Sequence, residues 1–315
     1  MKLVSGKGDE NMKNLNILMN MFKMTEMQLK KYVAKELRKT YEKVEVGDGY
    51  VFAKGNVPVL LVAHLDTVHK QAPTIFVYAN SKNKITSPQG IGGDDRNGVF
   101  SVLETIKRHK CSVLFCEQEE VGGVGAEKFT QTKLAKELEF NYIIEFDRKG
   151  SNDAVFYDCD NPEFEEFITK EFYKTAFGSF SDISVLAPFF GCAAVNLSCG
   201  YYNAHTTNEY IVPTEIEASI NAACKILERT TEADKFEYIE AKYTSSYYGS
   251  YGYGGWYDGD EMYYIIEYLD ENDQTQWFDL FARSTEEAIG KFCIEFENIP
   301  YCNIMDICID ENIYM

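Results

Sequence analysis

Apolar and polar positions fall into a few clear patterns along the chain. The strongest is Val57-Pro58-Val59-Leu60-Leu61-Val62-Ala63-His64-Leu65-Asp66-Thr67-Val68. Its unbroken apolar run predicts a strand buried on both faces, as in a parallel or mixed sheet. Shorter runs of the same kind at 112–116, 142–146 and 193–198 predict three more buried strands. Helical spacing predicts helices over 11–24, 99–109, 162–175 and 213–230, with another starting near Ala126. Thr25-Glu26-Met27-Gln28 has capping-box spacing and opens a helix through about Lys39. Ser181-Asp182 reads as the cap of a further helix that ends before Pro188. Two hairpins are expected, 41–46 with 50–54 around Gly47-Asp48-Gly49, and 74–79 with 84–86. Strands alternating with helices predict an α/β fold, a three-layer αβα sandwich on a mostly parallel mixed sheet.

The pattern changes beyond Thr230. Residues 241–259 are built largely of Tyr, Gly and Ser and read as a linker. Residues 260–315 read as a small ββαβ appendage: strands at 261–268 and 275–282, a helix at 284–295 opened by Ser284 with Glu287, and a last strand near 303–309. The expected division is therefore 1–240, 241–259 and 260–315, the last of unknown role. The first nine residues look loose.

Composition narrows the function classes. The 315 residues carry a formal net charge of −19, which argues against a phosphate-binding surface and so against nucleic acid as a partner. No apolar run approaches bilayer-spanning length, so no membrane is expected. The charged start lacks the apolar core of a secretory signal. Nine cysteines without a Cys-x-x-Cys pair fit reduced thiols in a cytoplasm better than a disulfide framework.

Candidate chemistry gathers at the strand ends. His64 and Asp66 share one side of the first strand's exit, because strand period is two. Alone, they fit equally well a strand that merely ends in polar residues. Glu119 and Glu120 follow the second strand, Asp147 the third, and His205 lies in a loop after the fourth. In an open α/β sheet the carboxyl ends of strands form the ligand crevice. Asp94 stands in a glycine-rich loop just ahead of a helix. Two imidazoles and several carboxylates converging there need cations among them. Such mixed ligands suit zinc, and also cobalt or manganese. Five ligands are too many for one catalytic zinc with an open position and suit two ions sharing a carboxylate.

These residues resemble the motifs of the co-catalytic di-zinc exopeptidases, a clan that includes peptidase T, the zinc aminopeptidases and their carboxypeptidase and deacylase relatives. The clan's His-x-Asp matches His64-Leu65-Asp66, and its Gly-x-Asp-Asp-Lys/Arg-x-Gly matches Gly92-Gly93-Asp94-Asp95-Arg96-Asn97-Gly98. Its Glu-Glu-x-Gly matches Glu119-Glu120-Val121-Gly122, its single Asp after an apolar strand matches Asp147, and its late His-x-x-x-Glu matches His205-Thr206-Thr207-Asn208-Glu209. The likeness covers about residues 29–230.

The resemblance implies a zinc-exopeptidase-type fold and two divalent ions, zinc by preference. It implies that Asp94 bridges both, with His64 and Asp147 completing one site and Glu120 and His205 the other. Asp66 would orient His64, and Glu119 would be the general base acting on a bridging water. A cis peptide is implied at Asp94–Asp95. The implied activity is hydrolysis of a peptide or amide bond, most simply by an aminopeptidase, with an N-acyl amino acid deacylase or a non-catalytic binding protein as alternatives. The lid or insertion domains of many relatives have no room here, neither between Asp147 and His205 nor between His64 and Asp94. No substrate-binding residue and no oligomeric state is identified. Ser181-Asp182 fits a pocket-lining turn as well as a helix cap. Arg148 and Lys149 could meet a substrate carboxylate or simply be solvated. Tyr201 and Tyr202 could supply an oxyanion donor. His69 and His109 read as surface histidines, and the cysteines as core fillers.

Overall fold

The apolar run at 57–64 forms the middle of a large sheet. The computed structural model describes residues 7–79, 83–170, 172–176, 178, 180–241, 262–270, 274–282, 288, 292 and 304–309. The chain divides into two compact units, Met1–Glu240 and Ala241–Met315.

The first unit opens with helices α1 (Lys7–Phe22) and α2 (Glu26–Leu37), then β1 (Val44–Gly47), β2 (Tyr50–Ala53) and β3 (Val57–His64). A hairpin of β4 (Val77–Ala79) and β5 (Lys84–Thr86) precedes α3 (Gly93–Thr105) and β6 (Cys111–Cys116). Next come α4 (Val124–Thr130), β7 (Tyr142–Arg148), β8 (Asp153–Val155), α5 (Pro162–Thr169) and β9 (Lys174–Ala176). The unit closes with α6 (Asp182–Phe190), β10 (Ala194–Ser198), β11 (Tyr201–Tyr202), β12 (Tyr210–Ile211) and α7 (Pro213–Arg229).

Eight strands form one sheet in the order β1-β2-β6-β3-β7-β10-β8-β9. Its centre, β6, β3, β7 and β10, is parallel; β1 and β2 add antiparallel at one side, and β8 joins β10 antiparallel at the other. Side chains of β3 alternate between two cores, as strand period requires. Val59, Leu61 and Ala63 pack with residues of α1, α2, α3, α5 and α7, and Leu60 and Val62 with residues of α4 and α6. That is a three-layer αβα sandwich. Burying each such Val or Leu contributes about 1.5–3 kcal/mol, so core burial fixes where β3 ends and His64 begins its exit.

Local signals account for several boundaries. The Thr25 capping box is present: Gln28 N–H donates to Thr25 Oγ1 at 3.4 Å and Thr25 N–H to Gln28 Oε1 at 2.9 Å. Five expectations change. The helix expected at 99–109 spans Gly93–Thr105, starting inside the glycine-rich stretch. Helical structure begins at Lys7, inside the stretch expected to be loose. Helix α5 stops at Thr169, because residues 174–176 are drawn into the sheet beside β8, with Lys174 N–H donating to the Asn152 carbonyl at 2.9 Å. Helix α6 continues through Pro188 and stops at Gly191, which adopts the left-handed conformation suited to glycine. A second sheet, β11-β12-β5-β4, joins the 77–86 hairpin to residues around His205, a pairing between segments far apart in sequence.

In the second unit β13 (Met262–Leu269) is flanked by β14 (Thr275–Ala282) and β15 (Ile304–Ile309), both antiparallel. Tyr264, Ile266, Tyr268, Ala288 and Phe292 form its core. Ala288 and Phe292 are helical; the rest of the helix expected at 284–295, and nearly all of the Tyr/Gly/Ser stretch, lie outside the described residues. Among the described residues no helix is long and apolar enough to cross a membrane, and the seven described cysteines are free.

Candidate metal centre

The carboxyl ends of the parallel strands deliver the polar groups to one place. His64 is the last residue of β3, and Asp66 follows as the chain leaves the sheet. After β6, Gln118 takes a left-handed conformation and a short 3-10 turn, Glu119–Val121, presents two adjacent carboxylates. Asp147 lies near the end of β7. His205, itself at φ 64°, sits in the loop between β11 and β12. Asp94 lies at the irregular start of α3, and the Asp94–Asp95 peptide is cis. Gly98 sits one turn on in α3, where a Cβ would stand against the Phe146 carbonyl oxygen and the Asp95 carboxylate.

Two donor groups result, His64 with Asp94 and Asp147, and His205 with Asp94 and Glu120, each with its ligand atoms within 4.8 Å of one another. Asp94 belongs to both. Its Oδ1 lies 3.0 Å from His64 Nε2, and its Oδ2 lies 3.3 Å from His205 Nε2. His64 Nε2 also faces Asp147 Oδ1 at 3.4 Å, and His205 Nε2 faces Glu120 Oε2 at 3.0 Å. Glu119 Oε2 is 4.0 Å from His64 Nε2.

This donor set fits a pair of cations. His64 Nδ1 faces Asp66 Oδ1 at 3.2 Å, the arrangement that fixes the tautomer with Nδ1 protonated. The remaining Nε2 lone pair is then aimed at two carboxylate oxygens, an arrangement that calls for a proton or a cation between them. Glu120 Oε1 is buried with no hydrogen-bond partner among the described residues, another acceptor without a donor.

Backbone groups hold the donors in place. The Asp66 carboxylate accepts the N–H groups of Glu119 and Glu120 at 3.1 and 3.2 Å. Asp95 accepts from His64 N–H at 3.2 Å and Gly98 N–H at 2.8 Å. Asp147 N–H donates to Asn196 Oδ1 at 2.8 Å, and Tyr201 Oη donates to the Asp147 carbonyl at 3.0 Å. The Arg96 guanidinium is buried and turned away from the two donor groups, donating to the carbonyls of Asp66 at 2.7 Å and Met24 at 3.3 Å.

Electrostatics reflects crowded acids. Burial, reinforced by the Asp147, Asp182 and Asp94 carboxylates against the opposing pull of His64, pushes Glu119 up to about 9. Asp147 is raised well above the usual carboxylate range by burial and then by Asp94. Hydrogen bonds to Asp94 and Glu120 raise His205 to about 11. Burial opposes the charge of Asp94, yet its bonds to His205 and His64 keep it below its ordinary value. Behind Glu119 lie two more buried acids. Burial, followed by the charge of Asp182, raises Glu145, and burial pushes Asp182 itself to about 6.

All seven residues singled out by sequence, His64, Asp66, Asp94, Glu119, Glu120, Asp147 and His205, thus stand in one cluster. Others differ from expectation. His69 is not a surface histidine: its side chain is only 10% exposed and its Nε2 meets Glu209 at 2.8 Å. Ser181 and Asp182 are fully buried at the start of α6, where Ser181 is the N-cap and its Oγ donates to Glu145. Arg148 faces Asp153 at 3.8 Å, the Lys149 carbonyl accepts from Ser198 Oγ, and Tyr202 Oη reaches Glu215. Glu145 and Glu209 carried only weak sequence signals, an acid inside an apolar run and the last letter of a motif.

No family model matches the chain, and no curated protein matches its sequence. Solved structures do match. An aminopeptidase PepT from Bacillus cereus aligns at TM-score 0.55 and 15% identity over 69% of this chain and 98% of the other. A tripeptidase from Staphylococcus aureus aligns at 0.55 and 14%, over 69% and 98%. An aminopeptidase from the archaeon Desulfurococcus kamchatkensis aligns at 0.56 and 15%, over 70% and 96%. The likeness is one of fold, and that fold is the α/β architecture of these peptidases.

Proposed function

We propose that this chain is a metal-dependent aminopeptidase holding two divalent cations, zinc by preference. One observation carries the reading: the buried Asp94 carboxylate lies between two histidines, each of which faces a further carboxylate. His64, Asp94 and Asp147 would hold one cation, and Asp94, Glu120 and His205 the other. The cations, when bound, would supply the Lewis acidity that acidifies water and polarises a carbonyl.

Glu119 is the general base in this reading. It adjoins Glu120 but belongs to neither donor group, and its Oε2 stands over the His64 side of the cluster. Its high pKa arises from burial and from neighbouring acids. Neutralising those acids with cations removes much of the repulsion and lets Glu119 ionise at neutral pH. Its carboxylate then takes a proton from the attacking water and returns it to the leaving amine. Asp66 positions both halves of this machinery, the His64 ring and the Glu119-Glu120 backbone.

A free amino terminus is preferred here over an N-acyl amino acid because the solved structures that share this fold include aminopeptidases. The decisive experiment assays zinc- and cobalt-loaded protein against amino-acid anilides, di- and tripeptides and their N-acetylated forms. Turnover of the free-amino compounds alone is expected. Turnover of only the acylated ones would count against an aminopeptidase, and turnover of none by metal-loaded protein would favour a binding role.

A further inference from the structure

Glu209 is fully buried four positions beyond His205, in the segment leading to β12. Its side chain reaches back to the turn that carries Asp94. Oε1 accepts the Asp94 N–H at 2.9 Å, and Oε2 accepts the Gly92 N–H at 2.8 Å. Oε2 also meets His69 Nε2 at 2.8 Å. The backbone is fixed as well, since the Glu209 carbonyl accepts from Thr86 Oγ1 at 2.6 Å.

Two glycines make room for this arrangement. A Cβ on Gly93 would stand 3.1 Å from Glu209 Oε1, 2.7 Å from Ile211 and 2.9 Å from Tyr201. A Cβ on Gly90 would fall on the His69 ring. Three donors thus converge on one buried carboxylate. Both of its oxygens accept, which a carboxamide cannot reproduce with its single oxygen.

We infer that Glu209, held by His69, is a positioning residue for the metal centre: it sets the Gly92–Asp94 backbone and with it the aim of the carboxylate common to both donor groups. This rests on the two-cation reading. Glu209 also links the two arms of the centre, because the loop that presents His205 ends in the residue that clamps Asp94. Outer partners of this kind orient ligands, and their loss typically costs about 10–100-fold in metal affinity. A brace on Asp94 has a distinctive consequence. Both cations should weaken together, whereas loss of His205 should weaken one.

The test uses the full chain, stripped with a chelator and titrated with Zn²⁺ by calorimetry, with bound metal counted by mass spectrometry. Glu209→Ala is expected to weaken both binding events by roughly 10–100-fold. Glu209→Gln, which keeps one acceptor, should lie between Glu209→Ala and the unmodified chain. His205→Ala should affect one event. His69→Gln should act in the same direction as Glu209→Ala but less, and the double variant should fall short of additivity because the two side chains share one interaction. Wild-type affinity at both sites in a folded Glu209→Ala or Glu209→Gln protein, or a loss confined to one site, overturns the inference. If Glu209→Ala does not fold, Glu209→Gln decides alone. Failure of the unmodified chain to bind two cations overturns the two-cation reading, and the inference with it, a result plainly different from normal binding by the variants.

Discussion

Asp66 Oδ1 faces His64 Nδ1 at 3.2 Å and accepts the Glu119 N–H at 3.1 Å. One carboxylate therefore fixes the imidazole of one donor group and the backbone of the proposed base. A residue with both contacts should affect metal binding and turnover together. Asp66→Asn removes the charge while keeping the size of the side chain. It is expected to lower Zn²⁺ affinity by about 10–100-fold. Activity at saturating zinc should also fall, and kinetics measured beside a zinc titration separate the two effects. Unchanged affinity would show that Asp66 only shapes the loop.

Glu119 offers a cleaner separation, since it lies outside both donor groups. Glu119→Gln keeps volume and hydrogen-bonding reach but cannot take a proton. Two bound metals per chain are expected to remain, while kcat falls by about 10²–10⁴-fold, the usual contribution of a general base. Metal counting and peptide hydrolysis on one preparation check this. Near-normal turnover would remove Glu119 from its assigned role.

The metal-free chain should show an unusual response to pH. Glu119 moves from 4.5 unfolded to about 9 folded, and Asp182 from 3.8 to about 6. Between those values the native state keeps protons that the unfolded chain has released, so stability falls as pH rises. His205, raised from 6.5 to about 11, adds in the same direction: its contribution is complete below about 6.5 and is lost as pH climbs through about 11. Thermal unfolding after chelation should therefore show Tm dropping from about pH 5 to about pH 9. With zinc present the slope should flatten or reverse, because the ligands bind metal in deprotonated form. A Tm that rises with pH in the chelated protein would contradict this account.

Gly98 tests the packing behind the site. A Cβ there would stand against the Phe146 carbonyl oxygen and both oxygens of Asp95. These are backbone and buried carboxylate atoms with little freedom to move. Gly98→Ala is expected to destabilise by about 3 kcal/mol, at the upper end of ordinary overpacking. Denaturant titration measures it, and a loss under about 1 kcal/mol would show that the helix start adjusts easily.

The sequence by itself determined the four parallel strands at the centre of the sheet, the αβα class and the seven clustered residues. Those signals are local. An apolar run as long as 57–63 has few folded environments other than a sheet buried on both faces, and polar residues at its end must emerge at the sheet's edge. Only the tertiary structure decided what lies around them. His69 and Glu209 are 140 positions apart, and nothing near either residue announces the other. The short strands at 153–155 and 174–176 carry too few apolar positions to be read alone and exist through pairing with each other and with β10. Pro188, a usual helix breaker, lies within α6 because Ile183, Leu186 and Ala187 bury that helix against the sheet. Spacing brings chemically apt residues to the ends of strands; long-range contacts decide which of them are clamped, buried or turned away.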